Sequence, residues 1–269
     1  MSQFSVNWLT LREPYDARAR NAEVLAALAA SFKQHHTMQI VDLACGTGST
    51  MRALSPLLVA RQKWRLVDND TGLLARAAAV PTLERVAATT VALDLNRDLE
   101  AALAGPIDLV TASALLDLVS ETWLDRLAVK VAARSIPFYA TLSYNGQIEL
   151  SPRDPFDAAI IAAVNAHQRT DKSFGLALGP AAAAFAISRL QSHSYSLVHG
   201  TSDWIIGPND SEMQSEVLAG WANAAANTGR LTSVDADAWL ARRRNALASG
   251  LSSIRVGHVD VFAVPIRTR

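Results

Sequence analysis

The residues best suited to binding a ligand lie close together at positions 42–48. Asp42 lies at the carboxyl end of an apolar run at 38–43, and Gly46 and Gly48 follow this run. Two glycines let the backbone adopt positive φ and approach a ligand closely, while the N–H groups of a helix beginning near Ser49 are free to bind it. A carboxylate beside them favours a ligand with a positive charge. The stretch predicts a ligand-binding turn between a buried strand and a helix.

This turn differs from the fingerprint of dinucleotide-binding proteins. That pattern has Gly or Ala three residues after the second glycine, where the helix packs closely on the strand. Met51 occupies this position, and Asp42 would repel a pyrophosphate. An NAD(P)-dependent oxidoreductase on a Rossmann fold is therefore disfavoured. It stays open as the second interpretation of the chain as an enzyme.

Two further acids follow predicted strands. Asp68 comes directly after the strand predicted at 64–67, about 20 residues beyond the glycines, where an acid can accept hydrogen bonds from both hydroxyls of a ribose. Asp94 follows the strand predicted at 89–93, and its alternative role is that of a turn residue. Asp70 is interpreted as the cap of a helix at 71–79.

A sheet must position these acids. Apolar strands are predicted at seven places, and helical segments separate the first five. Such alternation predicts a parallel sheet with right-handed crossovers, in which ligands bind beyond the carboxyl ends of the strands. We therefore predict an α/β fold, a Rossmann-like doubly wound, mostly parallel seven-stranded sheet with helical insertions. The predicted strands are 38–43, 64–67, 89–93, 106–113, 138–142, 194–199 and 259–265.

The glycine turn resembles the first motif of the class I S-adenosylmethionine-dependent methyltransferases. That motif has the form acid-x-x-x-Gly-x-Gly, which Asp42, Gly46 and Gly48 match. The resemblance covers roughly residues 38–142, with a weaker similarity at the C-terminus. It implies that the cofactor is S-adenosyl-L-methionine, that the turn lies against the methionine portion, and that Asp42 attracts the ammonium group directly or through water.

The resemblance also assigns roles to residues after the other strands. Asp68, with Asn69 beside it, would bind the ribose. Asp94 would accept a hydrogen bond from the adenine amino group, and the backbone N–H of Leu95 would meet a ring nitrogen. Ser113, at the end of the fourth strand, would lie under the cofactor near the methyl group.

A leading helical segment is predicted at 8–32, with a basic face. In related methyltransferases a leading helix often covers the cofactor, so the resemblance implies that Arg12 offers its cation to the cofactor's carboxylate. A solvated face is the alternative interpretation of this charge.

The densest polar run, residues 165–175, is the candidate acceptor site. His167 could take a proton near neutral pH, and Asn165 and Gln168 could orient an acceptor. Arg169 or Lys172 could hold a carboxylate or phosphate. A solvated loop is the alternative interpretation of the run.

Two residues outside this run complete the prediction for the acceptor side. Asp117, which follows the fourth strand, could face the methyl group and is included as a catalytic candidate. Trp204 could wall an aromatic pocket, although core packing is an alternative role for it. We predict one domain over 1–269, with a helical cover at 1–35. Helical insertions at 145–192 and 207–250 are predicted to form the substrate pocket.

Composition excludes several classes of function. The 269 residues carry 25 basic and 25 acidic side chains, so no global charge favours nucleic acid or an anionic membrane. Cys45 is the only cysteine, which is typical of a reducing cytoplasm. No signal peptide and no run of about 18 apolar residues is found. His35 and His36 are predicted to lie in a turn, and His193 and His199, six residues apart near one strand, are too far apart to share a metal, so no metal is expected.

The sequence as a whole predicts a cytoplasmic S-adenosylmethionine-dependent methyltransferase acting on a small polar metabolite. The signature of nucleic-acid amine methyltransferases is absent after the fourth strand, where the residues are Thr111, Ala112, Ser113 and Ala114. Besides the oxidoreductase, a non-catalytic cofactor-binding or partner-binding module stays open. The acceptor atom and the oligomeric state are not determined by the sequence.

Overall fold

A computed structural model of the chain describes residues 4–266, which form one central sheet with helices on both faces. The strands are β1 (Thr37–Leu43), β2 (Arg61–Asp68), β3 (Val86–Ala92), β4 (Leu109–Ser113), β5 (Phe138–Ser151), β6 (Tyr195–Thr201), β7 (Trp204–Ile206) and β8 (Ser253–Pro265). The helices are α1 (Val6–Ala19), α2 (Ala22–Ser31), α3 (Ser49–Leu54), α4 (Thr71–Ala79), α5 (Leu99–Ala102), α6 (Glu121–Ala133), α7 (Asp157–His167), α8 (Ala182–Ser192), α9 (Ser211–Asn227) and α10 (Ser233–Ala248).

The sheet has the strand order β3-β2-β1-β4-β5-β8-β6, and β7 pairs with β8. Strands β1 to β5 are parallel, whereas β8 runs antiparallel to its neighbours β5 and β6. The predicted α/β, doubly wound, mostly parallel architecture is therefore confirmed. The predicted count of seven strands is wrong, because the described residues form eight. The additional strand is β7, which is only three residues long and pairs with the first half of β8.

Strand β5 is longer than the sequence predicts, since it continues from Leu142 to Ser151. Its pairing with β8 shifts register twice, and Leu142 and Gly146 adopt positive φ of 56° and 86°. Such bulges bend a strand and redirect its side chains. At Gly146 a Cβ atom would lie 2.9 Å from Pro180, so the position has no room for a side chain. The predicted helical insertion at 145–192 thus begins with strand before α7 and α8.

The leading segment forms two helices instead of one. Arg20 has an extended backbone, and the Asn21 side chain accepts hydrogen bonds from the N–H groups of Glu23 and Val24, both at 3.1 Å. Asn is among the preferred N-cap residues because its side chain satisfies free N–H groups of the first turn. This cap starts α2 in a new direction and leaves α1 free to cover the strand ends.

A 3₁₀ helix at Leu116–Leu118 follows β4. Helix α6 begins later, at Glu121, where Ser120 Oγ accepts a hydrogen bond from the N–H of Trp123 at 3.2 Å. The short 3₁₀ turn keeps Asp117 close to the end of β4.

The insertions build a second apolar core beside the sheet. Side chains of β5, β7, β8, α7, α9 and α10 form it, and α1 packs against it. Trp239 Nε1 donates a hydrogen bond to Asp157 Oδ1 at 2.8 Å, and the buried Arg243 forms an ion pair with the same carboxylate. These contacts tie α10 to α7.

Within residues 4–266, no helix combines the length and apolar character needed to cross a membrane.

Candidate functional site

Two adjoining cavities lie at the carboxyl ends of the parallel strands. The first is lined by six of the residues predicted for the cofactor, which are Arg12, Gly46, Asp68, Asn69, Leu95 and Ser113. The second, of about 390 Å³, is lined by five residues predicted for the acceptor side, which are Asp117, His167, Gln168, Lys172 and Trp204. This volume lies in the range of small-molecule sites. Arg12, Ala114, Leu118 and Lys172 line both cavities.

The glycine turn contains three left-handed residues at alternate positions. Ala44, Gly46 and Gly48 have φ of 51°, 54° and 81°. Gly46 borders the first cavity, whereas Gly48 is the N-cap residue of α3 and does not line it. A left-handed conformation is costly for a residue with a Cβ atom, so the sequence places glycine at two of the three positions.

Asp68 ties the ends of two strands together while it faces the first cavity. Its Oδ2 accepts a hydrogen bond from the N–H of Gly46 at 2.9 Å, and its Oδ1 accepts one from the N–H of Asp70 at 3.0 Å. Burial raises the pKa of the Asp68 carboxyl, and these backbone hydrogen bonds oppose the rise. Asn69 beside it is exposed and also lines the cavity.

Asp42 lies behind the turn rather than in the cavity wall. It is fully buried, Thr111 Oγ1 donates a hydrogen bond to its Oδ1 at 2.7 Å, and its Oδ2 has no hydrogen-bond partner among the described residues. Burial raises the pKa of the Asp42 carboxyl to about 7, against the effect of the Thr111 hydrogen bond. The predicted attraction of a cofactor ammonium by Asp42 stays a prediction.

Replacing Asp42 with Asn should flatten the pH dependence of stability. The folded state raises the pKa of Asp42, so its contribution to stability is present below the unfolded pKa of about 4 and is lost as pH rises through about 7. Between pH 5 and pH 8 this loss is on the order of 3 kcal/mol. Urea unfolding of both proteins at the two pH values measures it. Asp94→Asn, a surface control, should behave like the unmodified protein, and an unchanged slope in Asp42→Asn would contradict the assignment.

Arg12 enters the site already paired with a carboxylate. Its guanidinium forms an ion pair with Asp16 at 2.9 Å and lies 4.9 Å from the centre of the Trp204 ring. Trp204 Nε1 in turn donates a hydrogen bond to Asp16 Oδ1 at 2.9 Å. Asp16 lines the first cavity and was not among the predicted residues. Its i,i+4 spacing from Arg12 on a helix is the sequence signal that could have found it.

Asp94 and Leu95 lie in different environments in the structure. The Asp94 carboxylate accepts hydrogen bonds from the N–H of Asn96 and from Nε of Arg97, both at 3.0 Å, and it does not line the first cavity. Leu95 is buried and lines that cavity. The arrangement of Asp94 fits the alternative interpretation of a turn residue, and its role toward adenine stays a prediction.

Asp117 is a buried acid in the wall of the second cavity. Only 5% of its surface is exposed, and its Oδ1 has no hydrogen-bond partner within residues 4–266. Burial raises the pKa of the Asp117 carboxyl to about 6, while backbone N–H groups of Asp117 and Tyr144 lower it in part. A carboxylate with this pKa is ionised at neutral pH and can still accept a proton.

The polar run at 165–175 divides between the cavity and the surface. His167, Gln168 and Lys172 line the second cavity, and Lys172 Nζ lies 3.3 Å from His167 Nδ1. Burial and the nearby Lys172 charge lower the pKa of His167, and burial lowers the pKa of Lys172. Arg169 is exposed and does not line either cavity.

Asn165 is not a lining residue and acts on a neighbour instead. Its Oδ1 accepts a hydrogen bond from the Tyr144 hydroxyl at 2.8 Å, and its Nδ2 donates one to the Gly146 carbonyl at 3.0 Å. The structure thus places Asn165 where it orients Tyr144, which lines the second cavity.

Several residues of the second cavity were missed by sequence reasoning: Trp8, Tyr144, Glu216 and His258. His258 is buried, and its ring centre lies 4.9 Å from that of Trp204 and 6.1 Å from that of Tyr144. Burial lowers the pKa of His258 to about 3, so the imidazole is neutral. Tyr144 and His258 come from paired strands, and no local sequence signal indicates this pairing.

No group of three or more His, Cys, Asp or Glu side chains within residues 4–266 is arranged to hold a metal ion.

The fold is similar to that of several solved structures. A cyclopropane-fatty-acyl-phospholipid synthase-like protein from Lactobacillus casei ATCC 334 has a TM-score of 0.53 and 15% identity, over 96% of this chain and 94% of that one. The cyclopropane synthase MmaA2 from Mycobacterium tuberculosis has a TM-score of 0.51 and 10% identity, over 97% and 94%. The YcgJ protein from Bacillus subtilis has a TM-score of 0.50 and 12% identity, over 92% and 100%. No family model and no curated protein matches the sequence. The similarities support the predicted Rossmann-like fold.

Proposed function

We propose that this protein is a methyltransferase that uses S-adenosylmethionine to methylate a small molecule. The observation that carries the proposal is the meeting of two cavities beyond the end of β4. The first adjoins the glycine turn and Asp68, and Arg12, Ala114, Leu118 and Lys172 border both. A cofactor in the first cavity and an acceptor in the second would meet there, as direct transfer of a group requires.

The first cavity fits a nucleoside that carries an amino acid. Asp68 presents a carboxylate where ribose hydroxyls would donate hydrogen bonds. The Arg12–Asp16 ion pair offers a cation to the cofactor's carboxylate and an anion to its ammonium group. Gly46 leaves room for close approach, because a Cβ atom there would lie 3.3 Å from Leu9 Cδ1, another lining residue.

S-adenosylmethionine, when bound, supplies a methyl group already activated by its sulfonium, so no covalent intermediate with the protein is required. The protein's contribution is to align the acceptor and to exclude water. We assign to Asp117 the role of the general base that removes a proton from the methyl acceptor, because Asp117 lines the second cavity close to the end of β4. The role of His167 as the base stays a prediction, with Lys172 as the partner of its Nδ1.

The walls of the second cavity favour an acceptor with an apolar body. Trp8, Tyr144, Trp204 and Trp221 contribute aromatic surface, and aliphatic side chains of α7, α9 and β8 add to it. Asp117 accepts hydrogen bonds when ionised, so the acceptor atom should carry an O–H or N–H hydrogen. The predicted small polar metabolite is thereby narrowed to a small molecule that combines such a donor with an apolar or aromatic part.

Calorimetry with S-adenosylhomocysteine and with NADH tests the cofactor. We expect S-adenosylhomocysteine to bind and NADH not to bind, and the reverse result would support an oxidoreductase. Incubation of a cell-extract metabolite pool with labelled S-adenosylmethionine, followed by mass spectrometry, then tests the reaction. Binding of S-adenosylhomocysteine without any labelled product would contradict methyl transfer and favour a non-catalytic binding module.

A further inference from the structure

Lys172 is a half-buried cation without a carboxylate partner in the described part of the chain. Within residues 4–266, its only polar contact is the one with His167 Nδ1 at 3.3 Å. The carboxylate of the adjacent Asp171 forms no ion pair with Lys172; its Oδ1 accepts hydrogen bonds from the N–H groups of Ser173 and Gly175 at 2.7 and 3.2 Å. A buried charge is normally paired, because removing it from water is costly.

Other cations near the two cavities do have such partners. Arg12 forms an ion pair with Asp16 at 2.9 Å, and Arg52 forms one with Glu13 at 2.6 Å. Lys172, which lines both cavities, therefore differs from these arginines in having no carboxylate partner among the described residues.

His167 adds a second donor at the same place. Its pKa is lowered by burial and by the Lys172 charge, so the imidazole is neutral at physiological pH. When Nδ1 accepts a hydrogen bond from Lys172, the ring proton is carried by Nε2, which can then donate. Gln168, the next residue, lines the same cavity and carries an amide.

We infer that Lys172 and His167 form an anion-binding subsite, and that the methyl acceptor carries a carboxylate or phosphate besides the group that is methylated. This inference rests on the proposed function. The apolar walls that surround the subsite strengthen an ion pair with Lys172, because they exclude water from it. Asp117 and Glu216 line the same cavity and would repel the anion. The anion and the O–H or N–H that reacts near Asp117 must therefore occupy different ends of the acceptor. The acceptor class is thus a small aromatic or apolar acid with a separate donor group.

Ligand-observed NMR with protein saturated by S-adenosylhomocysteine tests the subsite. The probes are benzoate, phenyl phosphate and the neutral benzamide, which share one ring. We expect one or both anions to bind at least about tenfold more tightly than benzamide, as a partly buried charge-assisted contact predicts. Preference for benzoate or for phenyl phosphate identifies which acid the subsite accepts. Equal binding of the three probes, or binding of none, overturns the inference.

Two variants separate this role from a structural one. Lys172→Met should abolish the preference for the anions, whereas Arg169→Met, which removes an exposed cation of the same loop, should retain it. A variant Lys172→Met that keeps the preference overturns the inference even if its melting temperature falls. The affinity for S-adenosylhomocysteine is measured for each protein. If the unmodified protein does not bind S-adenosylhomocysteine, that result refutes the proposed function and not the subsite alone. A loss of that affinity in Lys172→Met alone would assign Lys172 to the cofactor and also overturn the inference.

Discussion

Replacing Asp68 with Asn should weaken the binding of S-adenosylhomocysteine by about 100-fold. The carboxylate would accept hydrogen bonds from both ribose hydroxyls, and each charge-assisted hydrogen bond contributes about 1.5–3 kcal/mol. A 100-fold loss corresponds to about 2.7 kcal/mol, so loss of the charge and of one acceptor oxygen is sufficient. Asn also places an N–H donor opposite the N–H of Gly46 or of Asp70, which disturbs the glycine turn. Isothermal titration calorimetry measures the affinity.

Asp70→Asn is the matched control for this experiment. It removes the same charge two residues away but preserves the N-cap of α4, where Asp70 Oδ1 accepts from the N–H groups of Gly72 and Leu73 at 2.8 and 3.0 Å. We expect its affinity for S-adenosylhomocysteine to be nearly unchanged. Equal affinities of the two variants would contradict a direct contact between Asp68 and the cofactor, and thermal unfolding distinguishes this outcome from general destabilisation.

Replacing Asp117 with Asn should lower the rate of methyl transfer by about 100-fold to 1,000-fold, as expected for loss of a general base. The affinity for S-adenosylhomocysteine should not change, because Asp117 lines only the second cavity. Since the carboxylate is the active form and burial raises its pKa to about 6, the rate of the unmodified protein should increase as pH rises through about 6. That increase should be absent in Asp117→Asn.

The rate is measured with labelled S-adenosylmethionine and the fraction of the metabolite pool that contains the acceptor. Glu121→Gln serves as the control, because it removes an exposed acid at the start of α6, close to Asp117 in the chain but outside the second cavity. His167→Gln tests the other predicted base. If His167→Gln abolishes the pH-dependent increase and Asp117→Asn retains it, the base is His167 and our assignment is wrong.

The first cavity could be predicted from the sequence in large part. The glycine turn, the acid at the end of β2 and the end of β4 are each recognisable from a few adjacent residues. Gly46, Asp68 and Ser113 meet because parallel strands joined by right-handed crossovers bring their carboxyl ends to one edge of the sheet. No knowledge of long-range contacts is needed for this step.

The orientation of individual acids could not be predicted in the same way. Asp42 and Asp68 both end strands, yet only Asp68 lines the cavity. Asp42 lies opposite Thr111 in the pairing of β1 with β4, and that neighbour gives its carboxylate a buried partner. Asp94 is held by the backbone of its own turn. Whether an acid faces a ligand depends on which partners the neighbouring elements supply.

The sequence alone specifies the α/β architecture, the edge of the sheet at which the cavities lie and the residues of the glycine turn, because these follow from local patterns and from the handedness of the chain. The second cavity, in contrast, depends on long-range contacts. Tyr144 and His258 are paired across β5 and β8, far apart in the chain, and Trp8 joins them from α1. Such a register is selected by the packing of the complete core, which no short stretch of sequence specifies.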